Sequence, residues 1–327
     1  MTDSRFDFLE IGDARPPRRL VTSAPATVLA PPEDSAEATP LRLRVAETFG
    51  AGGAHSGEFA SPRGLCLDRD HNLFIADSYN HRIQRISPQG DVAPLGRRGG
   101  GSGEFLNPID VAVDAENRIY VLENGNCRIQ VLSPEGEPLG SFGKHGTGAT
   151  QFQSPSSLCL APDGTLFVAD SQSRRITVWT RYGELVSVLA ESSTGGALFR
   201  SPQAVHVGPS GWVYVADRFL HCVMAFSPSL QLQQTFGSIG IGRGQFAEPQ
   251  DLFELSDGHL LIAEAGNHRL QLLDPKRRSV QLVEAVPDQG NLKSPSGLTM
   301  APDGGAYAAD TGNHRIVRLV LERVSEE

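Results

Sequence analysis

Four cysteines in 327 residues leave little room for thiol chemistry, and none stands in a Cys-x-x-Cys pair. Cys66, Cys127, Cys159 and Cys222 are therefore read neither as zinc ligands nor as a redox couple. Cys66 and Cys159 occupy equivalent places in a repeat, which fits small buried hydrophobes. A chain of this length can bury a core without disulfides. No apolar run approaches the ~20 residues that cross a bilayer, so no membrane partner is expected. The first residues carry no basic stretch followed by an apolar one, so no secretory signal is seen and a cytoplasmic location is the expectation. Basic residues are also scarce: 29 Lys and Arg against 38 Asp and Glu give a net charge of −9. That balance excludes a general attractive field for nucleic acid or anionic lipid.

Catalytic constellations are missing too. There is no Gly-x-Ser-x-Gly elbow. A zinc site wants three close ligands and an open position. Only His206 lies in an inner strand, and its repeat equivalents are Cys66, Ala112, Cys159, Phe253 and Thr299. No catalytic residue, cofactor or metal site is assigned. No segment shows a helical period of useful length.

What the chain has instead is one phrase written six times. Its clearest copies are EFASP…LFIADSYNHRIQ and QFAEP…LLIAEAGNHRLQ. The prolines fall at Pro62, Pro108, Pro155, Pro202, Pro249 and Pro295, in steps of 46 or 47. Asp77, Glu123, Asp170, Asp217, Glu264 and Asp310 keep the same steps. A period of this size means six copies of one supersecondary unit.

Each unit reads as four short strands. In the first, Gly64–Asp68 is apolar and brief, Leu73–Asp77 follows a turn, Arg82–Ile86 alternates polar and apolar, and Asp91–Leu95 comes last. Turns such as Ala161-Pro162-Asp163-Gly164 carry the residues that preset turn angles. The predicted fold is all-β: a six-bladed β-propeller of four-stranded antiparallel blades. The sixth unit lacks an outer strand, and an orphan strand, Arg42–Gly50, precedes the first. The N-terminal strand should close the last blade and remove the exposed edges. Residues 41–327 form the propeller on this reading. Residues 1–40, with six prolines and a net charge of −3 from four arginines and seven acids, read as an extended, disordered arm. Within that arm, Phe6–Ile11 is a short amphipathic patch with the character of a docking peptide.

The acid ending each second strand faces an arginine opening the third: Asp77/Arg82, Glu123/Arg128, Asp170/Arg175, Glu264/Arg269 and Asp310/Arg315. These are read as structural ion pairs that fix hairpin register rather than as catalytic carboxylates or a metal ring. The Asn-His pairs at Asn80-His81, Asn267-His268 and Asn313-His314 look like turn chemistry, with Asn taking the left-handed conformation. The glycine-rich segments 99–103 and 240–244 lie between blades with no helix behind them, so they are loops rather than phosphate cradles.

The phrase Ile75-Ala76-Asp77-Ser78-Tyr79-Asn80-His81-Arg82-Ile83-Gln84 resembles the NHL repeat, as do residues 262–271 and 308–316. The resemblance covers residues 41–321. It implies a propeller, and it leaves function open among RNA-binding regulators, protein-interaction modules, sensor domains and a few metal-dependent lyases and hydrolases.

Function is expected where the copies differ. Blade 4 departs most: Cys222 replaces the arginine, and the loop reads Arg218-Phe219-Leu220, a candidate apolar patch for a protein partner. The channel mouth, just after each proline, is the second candidate: Arg63, Asp110, Gln203, Gln250 and Asp251 could orient a small polar ligand or a peptide carboxylate. The basic clusters Arg97-Arg98, Arg174-Arg175 and Lys276-Arg277-Arg278 lack companion aromatics, which argues against single-strand reading. The reading is a monomeric, non-catalytic scaffold for a protein or peptide partner. Its alternatives are a small-molecule or metal-dependent hydrolase or lyase at the channel mouth and, third, RNA binding through a local basic face.

Overall fold

The computed structural model describes residues 18–19, 41–192 and 195–323. The predicted arm otherwise lies outside the described residues. Six four-stranded antiparallel sheets follow one another around a ring. Blade 1 is Pro62–Leu67, Leu73–Asp77, Arg82–Ile86 and Val92–Leu95, from the channel outward. Blades 2 to 5 repeat this order, and each inner strand starts at the recurring proline. A proline fits there because the first position of a strand need not donate to the ladder.

The ring closes as the orphan strand predicts. Leu41–Phe49 pairs antiparallel with the third strand of blade 6, Arg315–Arg323, in a ladder of eight pairs from Leu41 opposite Arg323 to Phe49 opposite Ile316, broken by a bulge at Ala46. That third strand runs four residues beyond its expected end, because the closing strand gives its backbone groups partners.

Side chains alternate between the two faces of each blade, so the core lies between blades. Leu73–Asp77 is buried at every position, as are its four equivalents in blades 2 to 5. One aromatic recurs before each inner strand and plugs the seam between blades: Phe59, Phe105, Phe152, Phe199 and Phe246 are fully or almost fully buried. Leu292 takes this place before blade 6.

The glycine-rich segments are blade-connecting loops, and each folds back on the residue before its aromatic. The carboxylate of Glu104 accepts Gly101 N–H at 3.0 Å, and the Gln245 amide oxygen accepts Gly242 N–H at 3.0 Å. Gly96, Gly143 and Gly237 have φ of 76°, 85° and 91°, and a Cβ on each would lie within 2.4 Å of the following aromatic ring. Only glycine allows the chain to turn over the plug. No described helix is long and apolar enough to cross a membrane.

Candidate functional site

The ion pairs fasten loop to blade. Arg269 Nε donates to Glu264 at 2.7 Å, while its two Nη atoms reach the carbonyls of Ile241, Gly242 and Gln245. Arg82 does the same, with Asp77 at 2.8 Å and the carbonyls of Ala54, His55 and Glu58. The guanidinium is divided between one carboxylate oxygen and a loop instead of forming a two-bond fork. Asp77, Glu123, Asp170, Glu264 and Asp310 are wholly buried at these pins. Distances are 2.6 Å for Arg128–Glu123, 3.7 Å for Arg175–Asp170 and 2.7 Å for Arg315–Asp310.

The Asn-His turns differ from expectation in one respect. The left-handed residue is the histidine: φ is 57° at His81, 53° at His221, 54° at His268 and 56° at His314. That conformation turns the ring toward the next blade, where Nδ1 accepts a backbone N–H from Asn107, Glu248, Ser294 and Ser61 respectively, at 3.0 to 3.2 Å. The asparagine instead donates to the preceding loop and to the buried acid, as Asn80 does to Gly53 O and Asp77.

Blade 4 replaces the arginine pin with backbone. Asp217 accepts N–H groups from Arg200, Ser201, Phe219 and Leu220 at 2.7 to 3.1 Å. Cys222 sits in the apolar cluster with Phe199 and Phe226, and burial pushes its thiol up to about 12. Arg218, freed from the acid beside it, reaches Glu248 of blade 5 at 2.6 Å and lies over the Phe219 ring at 5.5 Å. Phe219 is 50% exposed and Leu220 40%.

The channel proper is narrow. Asp110 accepts the N–H groups of Val111 at 2.9 Å and of Leu158, in the next blade, at 2.7 Å. Asp251 repeats this with Leu252 at 2.8 Å and Leu298 at 2.7 Å. Both carboxylates thus stitch neighbouring inner strands. A Cβ at Gly64 would come within 2.1 Å of Asp110, so blade 1 presses close to this side of the channel. Burial raises the Asp110 carboxyl to about 7 and raises Asp251 well above the usual range, with the Asp110 charge adding to the latter. The space left beside Gln250, Asp251 and Asp110 is about 20 Å³, room for one water. Below them, Cys66 and Cys159 feel the Asp110 charge after burial, and their thiols rise to about 12. These two cysteines are half-buried rather than sealed in the core. Burial lowers His206 to about 4, beside Phe253 at 6.4 Å.

Above the channel, on the face where the inner strands begin, lies a wide basin of about 590 Å³ over blades 1 to 4. It is lined by Arg63, Arg174, Arg200 and Arg218, with Ser, Asn and Gln side chains between them and Phe219 at the edge. Among the described residues no carboxylate lines it. Among the described residues, Arg63, Arg174 and Arg200 make no ion pair. The Nε atoms of Arg63 and Arg218 are buried without a hydrogen-bond partner. Burial lowers the Arg63 pKa; the Tyr79 phenol opposes this and the Arg218 charge adds to it.

Two sequence candidates thus merge into one site. Arg63 and Gln203 of the mouth join Arg218 and Phe219 of blade 4 in the basin. Gln250, Asp110 and Asp251 lie in the channel below, and Leu220 lies outside both sets of lining residues. Arg174 and Arg200 were not expected here, and comparing repeats position by position would have found them. Arg174 stands where four blades have the histidine latch and blade 2 has Cys127. Arg200 stands where others have Ala60, Leu106, Gln153, Ala247 and Lys293. The other basic clusters are engaged elsewhere. Arg97 pairs with Glu104 at 2.9 Å, Arg278 with Asp274 at 2.6 Å, and Arg277 stacks over Tyr214.

The NHL repeat family matches residues 59–86, 105–132 and 292–319, which fall in blades 1, 2 and 6. The chain carries NHL repeats on a six-bladed β-propeller. No protein with a curated description matches it. Among solved structures, this propeller is similar to a structural-genomics protein of unknown function from Bacteroides thetaiotaomicron, with 16% identity over 86% of this chain and 76% of that one, at a TM-score of 0.67. It is similar to a streptogramin B lyase, with 14% identity, 88% and 100% coverage and a TM-score of 0.59. It is also similar to the PQQ-bound aldose sugar dehydrogenase of Streptomyces coelicolor, with 16% identity, 88% and 100% coverage and a TM-score of 0.58. At these identities the likeness concerns the fold.

Proposed function

We propose that this NHL-repeat propeller is a non-catalytic binding module whose basin receives an acidic segment of a protein or peptide partner. The carrying observation is the gathering of four arginines, three of them unpaired, in a basin without a carboxylate, on a chain that is acidic as a whole. Guanidinium groups are weakly hydrated and present planar donors that match carboxylates, so unpaired arginines around a pocket favour an anionic guest. Phe219 supplies an apolar anchor at the rim, and Arg218 above its ring holds it in place.

A peptide library displayed on phage and selected against the protein at low salt tests this reading. Enriched sequences should be rich in Asp and Glu. Their affinity should fall at least tenfold, roughly the loss of one charge-assisted contact, in the R63Q/R200Q/R218Q variant. Sequences without acidic bias, or equal binding to the variant, would contradict it.

The alternative of a hydrolase or lyase at the channel mouth draws on fold likeness to propellers such as the lyase and the dehydrogenase. Among the described residues, no cluster of three or more His, Cys, Asp or Glu is placed to hold a metal. RNA binding is the other alternative. An oligonucleotide that bound the basin more tightly than any acidic peptide would favour it.

A further inference from the structure

On the opposite face a second groove, about 670 Å³ and mostly apolar, opens between blades 3 and 4. Phe167, Val186, Val207, Pro209 and Leu230 line it. Val186 is 50% exposed, unusual for a valine in a strand of this protein. Around the groove are the turns at the far ends of the blades, closed by Ala161 N–H to Thr165 O, Gly208 N–H to Trp212 O and Ser227 N–H to Gln231 O. Among the described residues its single lining carboxylate is Asp163, and no lysine or arginine lines it.

The outer strand of blade 3, Leu185–Leu189, is the one outer strand with a further partner among the described residues. Arg18–Arg19 pairs beside it in parallel, Arg18 opposite Ser187 and Arg19 opposite Val188. Leu185–Leu189 begins at the groove face and runs away from it. A parallel neighbour has the same polarity, so the N-terminal end of Arg18–Arg19 points to the groove side. Ile11 lies seven residues before Arg18, a reach of at most about 25 Å when extended. The sequence just beyond that reach is Phe6-Asp7-Phe8-Leu9-Glu10-Ile11, the apolar patch of the N-terminal arm.

We propose that the groove between blades 3 and 4 is a docking site for this chain's own N-terminal segment, with Phe6–Ile11 as its occupant. Residues 1–40 then act as a tether that straps the ring from outside. Four apolar side chains meet an apolar groove, and the strand pairing at Arg18–Arg19 holds the segment at high local concentration. This inference concerns the face opposite the basin and stands independently of the function proposed there.

Hydrogen exchange of the full chain tests it, comparing the native sequence with F6D/F8D and with V186D. Docking predicts that either variant speeds exchange in Leu185–Leu189 and in the Ser227–Gln231 turn by about tenfold or more. Combining them should add nothing, while Leu73–Asp77 in blade 1 reports an intact fold. Unchanged exchange in F6D/F8D would overturn the proposal. So would an effect of V186D without one of F6D/F8D. Protection that vanishes on dilution would assign the groove to a second copy's arm and would likewise overturn it.

Discussion

At the level of single residues, the equivalent buried acids of blades 4 and 5 are satisfied in two different ways, and the two cannot be interchanged. Glu264 depends on Arg269, which is itself 2% exposed. Arg269→Ala should lower stability by about 3 kcal/mol in urea unfolding, because a buried carboxylate loses its charged partner and three loop carbonyls lose their donor. Asp217 depends on backbone amides instead. Restoring the repeat arginine with Cys222→Arg should therefore destabilise, by about 2 kcal/mol or more, since the guanidinium would enter an apolar cluster beside an acid whose oxygens are already taken. A stabilised Cys222→Arg protein would refute this view of blade 4. Asp110 gives a pH signature. Its folded pKa, about 7, lies above the unfolded value, so its contribution is fully present below about pH 4 and is lost as pH rises through 7. Melting temperatures at pH 5.5 and 8 should differ less in Asp110→Asn than in the native protein, whatever the substitution does to stability overall.

At the level of turns and strands, the histidine latches join blade to blade. Removing one, as in His268→Ala, should cost about 1 kcal/mol, the usual value of one such bond, and should speed exchange of the Ser294 amide. The two junctions without a latch follow blades 2 and 3, where Cys127 and Arg174 hold the position. This is where the basin opens, so a junction that lacks the histidine bond is also the place with an unpaired arginine facing solvent. The strand pattern, the turns and the paired acids and arginines were legible in the sequence because each depends on near neighbours and recurs in five blades or all six. The left-handed histidine was not, since Asn and His sit side by side and only the position of the following blade decides which one turns. The joining of Arg63 with Arg218 was not legible either. They are brought together by closure of the ring, across blades that are not adjacent in the chain, and repeat spacing carries no information about that.

For the molecule as a whole, closure by Leu41–Phe49 settles which edges remain. Without that strand the ladder of Arg315–Arg323 would be bare, and an unpaired edge recruits other chains. A protein starting at residue 50 should self-associate or unfold with reduced cooperativity, as read by light scattering and calorimetry. A monomeric, fully cooperative product would show that closure contributes little. The same closure sets the balance of charge. A net charge of −9 is spread over the chain, while four arginines gather at the basin. The field at the basin therefore opposes the field of the whole, and an acidic guest would be drawn to that face and repelled elsewhere.

Mapping hydrogen exchange with a selected acidic peptide bound tests the central claim most directly. Slowed exchange is expected at residues 172–174, 200–203 and 218–219, on one face and in the blades that depart from the repeat. Protection confined to any other surface, or none at saturating peptide, would contradict it.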